Sequence, residues 1–236
     1  TERAEMAVRL MRWLVTPESG APGRLADALS RQMVNDAWVD RAIADVSAGS
    51  NDVLVASSYA TLCQTALDRR QIHDVQFAGL LAAATKREVE ATGALFIEDV
   101  LTSVVKPLAA VQKVLLIVVD GMSTSVAAEL ADGAIARNWS EVVPAASGKR
   151  IAALAVLPTL TTHSRTSLLT GDLQSGTQVD EKRVFPQVTG GQIFHKDDLR
   201  AGLGQALAPA VRDAIEGPSA VVGVVLNTVD DTLAKH

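Results

Sequence analysis

One carboxylate stands where chemistry would be built: Asp120, at the end of Lys113-Val-Leu-Leu-Ile-Val-Val-Asp-Gly-Met-Ser-Thr-Ser125. The six apolar residues Val114 to Val119, four of them β-branched, are too few for a membrane span and predict a strand buried on both faces of a parallel sheet. In open α/β sheets ligands bind beyond the carboxyl ends of the strands, so Asp120, followed by a turn glycine, occupies a site position. The plainer alternative is an Asp capping the next helix, since Asp, Gly and Ser suit any strand-to-helix turn. Two further apolar stretches also end in polar groups. Ile151 to Leu157 precedes Thr161 and its hydroxyl-bearing neighbours, and Ala220 to Leu226 precedes Asn227, Asp230 and Asp231. Carboxylate oxygens suit a divalent cation, which lowers a hydroxyl's pKa and offsets charge on a phosphoryl group, so Thr161 can serve as nucleophile without an adjacent base. Here too helix capping by Asp230 and Asp231 competes. The metal reading predicts that Asp120, Thr161 and at least one of Asp230 and Asp231 meet at the carboxyl edge of one parallel sheet.

Several phosphate and metal motifs fail on register. A haloacid dehalogenase loop needs an Asp where Val118 stands, and a von Willebrand factor A site needs serines where Met122 and Thr124 stand. A response-regulator receiver has its acidic pair before the phosphoacceptor strand, whereas Asp230 and Asp231 come long after Asp120. No Walker loop or dinucleotide fingerprint is present.

These residues must be positioned by two kinds of structure. Residues 1 to about 106 carry helical spacing: Met6, Leu10, Trp13 and Leu14, then Leu25, Leu29 and Met33. Breaks fall at Pro17 to Gly23 and at Gly49 to Asn51. Separate helices are predicted through Leu62 and Leu67 and through Leu80, Leu81 and Ala84, with His73 at the turn between them as a structural residue. A last helix through Val100, Leu101 and Val104 is expected to stop at Pro107. From Lys113 the texture becomes α/β, with a helix from about Ser123, a strand near Ile151 to Leu157, and a helix in the second half of Thr159 to Gly171. A polar excursion from Asp172 to Gly191, a helix over about 197–216 and a strand from Ala220 to Leu226 follow. The expectation is a helical bundle at 1–110 and an α/β domain at 111–236.

The chain has 236 residues and a net charge of −5, with no basic footprint of the kind that holds nucleic acid unaided. Its single cysteine, Cys63, excludes an internal disulfide framework and reads as core. No apolar run reaches membrane-helix length. A cytoplasmic location is expected, and the chain reads as a piece of a longer protein.

Taken in order, Val118-Val-Asp-Gly-Met-Ser123, Leu157-Pro-Thr-Leu-Thr-Thr-His-Ser-Arg165, Leu168-Leu-Thr-Gly171, Ile193-Phe-His-Lys-Asp-Asp-Leu199 and Leu226-Asn-Thr-Val-Asp-Asp-Thr-Leu233 resemble the PglZ family of the alkaline phosphatase superfamily. The resemblance covers roughly 113–236, the front part of a PglZ domain, and the helical half resembles the region preceding it. It implies a doubly wound, mostly parallel α/β sheet and a two-metal site for divalent ions, zinc first, with manganese or magnesium as alternatives. By the same resemblance Asp120 is the first-strand metal ligand, Thr161 the nucleophile and a metal contact, and Asp230 and Asp231 the next ligands. Many superfamily relatives have a His four residues after the later Asp, whereas His236 lies five beyond Asp231; the later Asp-His-Gly segment is not in this chain. His163 and His195 match no ligand position, and Arg165 is either a phosphate contact or a solvated helix residue. The implied function is a metal-dependent phosphodiesterase, nuclease or phosphatase-like enzyme of a bacteriophage-exclusion (BREX) system. It would partner other defence proteins and act on a phosphoester, with nucleic acid reached through the full-length protein and no membrane. The alternative is a non-catalytic assembly or ligand-sensing platform.

Overall fold

A computed structural model describes residues 2–18, 20–85, 93–200 and 207–227. In chain order its elements are α1 (Glu2–Val15), α2 (Leu25–Arg31), α3 (Ala37–Ser47), α4 (Val53–Thr85), β1 (Leu95–Phe96), α5 (Lys106–Ala109), β2 (Val114–Val119), α6 (Thr124–Ile135), β3 (Ala153–Leu154), α7 (Thr161–Thr170), α8 (Gln178–Thr189), β4 (Gln192–Phe194), α9 (Pro209–Glu216) and β5 (Val221–Leu226). They form two compact units, Thr1–Ala94 with Ser123–Ala152, and Leu95–Met122 with Ala153–His236.

The first unit is helical. Val39, Ala42, Ile43 and Val46 recur at i, i+3, i+4 and i+7 of α3, so one stripe is buried, and it packs with Leu10, Cys63 and Ala66. Cys63 is core, as its spacing suggests. The expected break at His73 does not occur: α4 runs 33 residues without interruption. The polar run from Asp68 to Asp74 imitates a turn because its Arg69, Arg70 and His73 side chains reach other segments. His73 is buried, its Nδ1 3.0 Å from Asp36 and its Nε2 3.3 Å from Glu18. Arg70 pairs with Asp40 at 2.7 Å and with Asp36 at 3.3 Å. Among the described residues no helix is long and apolar enough to cross a membrane.

Ser123 starts α6: its backbone is extended, and its Oγ accepts the Val126 N–H at 3.3 Å. Ser123→Ala is expected to cost about 1 kcal/mol, the usual value of an N-cap. A urea melt that does not move would show that this cap contributes nothing.

The second unit carries two small parallel sheets with helices. In the three-stranded sheet the order is β2-β5-β4, with Val114 opposite Val221 through Val119 opposite Leu226, and Gln192 opposite Val222. The central strand β5 is the one buried on both faces. β2 is an edge among the described residues, which corrects the expectation for it: Val114, Leu116 and Val118 pack inward while Leu115 and Ile117 remain about half exposed. β1 and β3 form a separate two-stranded sheet. The expected strand over 151–157 is only Ala153–Leu154; three of its seven residues are alanine, which is depleted in strands. Pro107 does not end a helix. It sits in α5, directly after the wide helical turns of Leu101–Val105, and the helical backbone runs on through it. Leu101, Val105, Leu169, Phe185, Ile193, Val221 and Val225 make the core.

Candidate functional site

Asp120 is fixed from its backbone outward. Its N–H donates to the Leu226 carbonyl at 2.9 Å, extending the β2-β5 ladder by one residue, and Gly121 then turns the chain with φ +75°. The carboxylate is 14% exposed, and its Oδ2 accepts from Nη1 of Arg165 at 2.9 Å.

Arg165 comes from α7, which begins at Thr161 and ends at Gly171 in a left-handed cap. The first N–H groups of α7 have no side-chain cap, leaving donors at that end for another acceptor. Thr161 lies one turn before Arg165, and residues four apart share a helix face, so the Thr161 side chain belongs to the face that reaches Asp120. Thr161 is half-buried and shares no hydrogen bond with Asp120; Thr162 is exposed and pairs with His163 Nδ1 at 3.1 Å. The two predicted residues do not follow strands of one sheet. Asp120 ends β2 of the three-stranded sheet, whereas Thr161 follows β3 of the two-stranded one. What joins them is Arg165. Asp230, Asp231 and His236 lie outside the described residues.

Behind Arg165 is a group that sequence reasoning missed. Glu181 is wholly buried, and Nε of Arg165 donates to its two carboxylate oxygens at 3.1 and 3.2 Å. Thr166 Oγ1 donates to the same carboxylate at 3.1 Å, and His195 Nε2 lies 2.7 Å from Oε2. Burial pushes the Glu181 carboxyl up, but the hydrogen bonds and charges of His195 and Arg165 outweigh it and hold the group below its ordinary range. The His195 N–H donates to Asp198 at 2.9 Å, and Lys182, 2.7 Å from that carboxylate, keeps Asp198 low as well. Arg165 is therefore not a solvated helix residue. Its side chain is 10% exposed and bridges two carboxylates.

Glu181 was hidden because residues 172–191 read as a polar excursion; in the structure they contain α8. The signal was present. Thr177 and Asp180 form a capping box, Thr177 N–H and Oγ1 donating to Asp180 at 2.9 and 3.0 Å, and Ser/Thr-x-x-Asp/Glu marks a helix start. Pro186 inside α8 argued against a helix there.

Among the described residues no three His, Cys, Asp or Glu side chains come together in a way that could hold a metal ion. Those residues do not by themselves assemble a metal centre, and the charge of Asp120 is met by a guanidinium.

Fold and site together define an α/β domain of parallel strands with a fixed anion at the carboxyl tip of one strand and an uncapped helix amino terminus carried on the helix that binds it. Residues 100–236 match the family described as the BREX system PglZ alkaline phosphatase-like domain, and the chain belongs to that family. No curated protein and no solved structure matches it.

Proposed function

We propose that this chain is the front part of a metal-dependent phosphoester hydrolase of a BREX phage-defence system, acting as a phosphodiesterase, nuclease or phosphatase. The observation that carries the reading is the family match over 100–236, with Asp120 fixed at the end of a parallel strand. In this reading residues 1–110 are a helical region and 111–236 the PglZ portion, whose small parallel sheets belong to a doubly wound sheet. Asp120 is a ligand for a divalent ion, zinc or else manganese or magnesium. Asp230 and Asp231 are the next ligands, and further donors come from beyond the described residues. Thr161 supplies the attacking hydroxyl, and the free N–H groups of α7 hold phosphoryl oxygens, as helix amino termini do. The protein works in the cytoplasm with other proteins of the defence system and reaches nucleic acid through its full length.

The test is hydrolysis of a simple phosphodiester, bis(p-nitrophenyl) phosphate, by the full-length protein. Activity should fall at least tenfold on chelation, return with zinc or manganese, and fall at least tenfold in Asp120→Ala. Activity indifferent to both chelation and Asp120 would sink the proposal. A second reading, a ligand-sensing or assembly platform without turnover, is favoured by the pairing of Asp120 with Arg165. Absence of turnover in the presence of metal, with defence complexes still forming, would select it.

A further inference from the structure

A cavity of about 170 Å³ lies in the helical unit, and Trp13, Glu18, Arg31, Asn35, Arg69 and His73 are among the residues lining it. Arg69 and His73 are four apart on α4, so their side chains share one face. Arg69 is set in place by α1: its Nη1 donates to the Trp13 carbonyl at 2.7 Å, its Nη2 to the Thr16 carbonyl at 3.3 Å, and its guanidinium lies 4.2 Å from the Trp13 ring centroid. That leaves Nε, which donates to Oε1 of Glu18 at 2.5 Å. The same oxygen lies 3.3 Å from Nε2 of His73, whose Nδ1 is taken by Asp36. Two groups from α4 thus converge on one point, and a carboxylate oxygen fills it. Burial raises the Glu18 carboxyl, but the hydrogen bonds and charges of Arg69 and His73 outweigh it and hold the group below its ordinary range.

The rest of the cavity is not answered by Glu18. It is the one acid among the described residues lining the space, its Oε2 has no hydrogen-bond partner among the described residues, and its side chain is 39% exposed on the chain between α1 and α2. Nε of Arg31 is buried with no hydrogen-bond partner, Asp36 standing 3.5 Å away. Asn35 is exposed, and its amide makes no hydrogen bond among the described residues. A second cavity, of about 400 Å³, shares Gly20, Arg31 and Asn35 with the first and adds Lys149, an exposed ammonium with no carboxylate partner among the described residues. Donors therefore face a space in which a single acid engages a single oxygen.

We propose that this cavity of the helical unit is a binding site for a phosphate group, free or on a monoester, with Glu18 as the internal occupant that the ligand displaces. A carboxylate has two oxygens in one plane, whereas a phosphate presents a tetrahedron of them. It takes the place of Oε1 between Arg69 and His73 and still offers oxygens to Arg31 and Asn35. The adjoining cavity accommodates the remainder of an ester, with Lys149 at its rim. None of these residues belongs to the site around Asp120, so the proposal stands apart from the hydrolase reading.

The experiment is calorimetric titration of the full-length protein with inorganic phosphate, with phenylphosphonate as a monoester mimic that resists hydrolysis, and with acetate. It compares wild type, Glu18→Gln, Asn35→Asp and the double variant Glu18→Gln/Asn35→Asp. Glu18→Gln keeps the shape and removes the competing charge, so phosphate should bind on the order of tenfold more tightly than to wild type. Asn35→Asp places an anion on the exposed rim and should weaken phosphate by about tenfold in either background. Acetate has too few oxygens for the remaining donors and should gain less than about threefold from Glu18→Gln. Tighter binding of phenylphosphonate than of phosphate assigns the site to a monoester, and the reverse order assigns it to the free anion. Phosphate held around Asp120 contributes equally to every variant, so the differences read this cavity. Unchanged phosphate affinity in Glu18→Gln would reduce the cavity to a structural ion-pair network and overturn the proposal. An equal gain for acetate would overturn it too, as would a gain that Asn35→Asp leaves intact, since the phosphate would then sit elsewhere. If Glu18→Gln does not fold, Asn35→Asp alone decides, and wild-type phosphate affinity in that variant would sink the site.

Discussion

Replacing Glu181 with leucine is expected to remove about 3–5 kcal/mol of folding stability, the cost of breaking a buried ion pair from one side. The volume is roughly kept, so the loss is electrostatic. Arg165 retains only Asp120, the Thr166 hydroxyl loses its acceptor, and His195, buried with Nδ1 unpartnered among the described residues, loses its Nε2 contact as well. The pH dependence gives an independent check. Burial raises the Glu181 carboxyl, but His195 and Arg165 pull it below its ordinary value near 4.5. A carboxyl lowered in the folded state stabilises the protein above its unfolded pKa, and that contribution disappears as pH falls through the folded value. Wild type should therefore lose stability below about pH 4.5, and Glu181→Leu should lose less over the same range. Urea unfolding between roughly pH 3 and 7 measures both. A variant within about 1 kcal/mol of wild type at neutral pH would show that Arg165 and His195 find other partners, and that the brace behind Asp120 is dispensable.

Features that announce themselves locally were legible in the sequence. β2 and β5 are short, β-branched and bounded by polar residues, and both occur as expected. α7 has a glycine after it, so its end could be read, but it begins at Thr161, earlier than the second half of Thr159 to Gly171 where the helix was expected. Features decided by partners distant in sequence were not legible. The Asp68–Asp74 run looked like a turn because Arg70 and His73 find their buried partners far away in sequence; those partners, Asp36, Asp40 and Glu18, lie on segments some 30 to 55 residues away. Asp120 was identifiable because a lone carboxylate ends an apolar run. Glu181 was not, because one Glu in a charged helix looks like any solvated one, and only the fold brings Arg165, Thr166 and His195 around it. The separation of β3 from the main sheet was also hidden, since seven apolar residues do not show which strand they will pair with.

Thr161→Ala in the full-length enzyme is expected to lower kcat on the order of a hundredfold or more while leaving KM and folding nearly intact. Thr161 opens α7 one turn before Arg165, so its hydroxyl shares the helix face that reaches Asp120, and among the described residues that hydroxyl has no hydrogen-bond partner. The N-cap position of α7 is held by Leu160, so Thr161 stands inside the helix and its oxygen serves no cap. Removing an unengaged, half-buried methyl and hydroxyl should cost little stability, which leaves the transition state as the place where a large loss would appear. Thr162 provides the comparison. It is exposed and already paired with His163, so Thr162→Ala should change kcat by less than about threefold. Thr161→Ser keeps the hydroxyl and should retain most of the activity, distinguishing loss of a nucleophile from loss of packing. Equal kcat in Thr161→Ala and wild type, with metal content matched, would eliminate Thr161 as nucleophile and pass the role to a water or another hydroxyl. A fall in Thr161→Ser as deep as in Thr161→Ala would instead point to the methyl group and to a purely structural role for the residue.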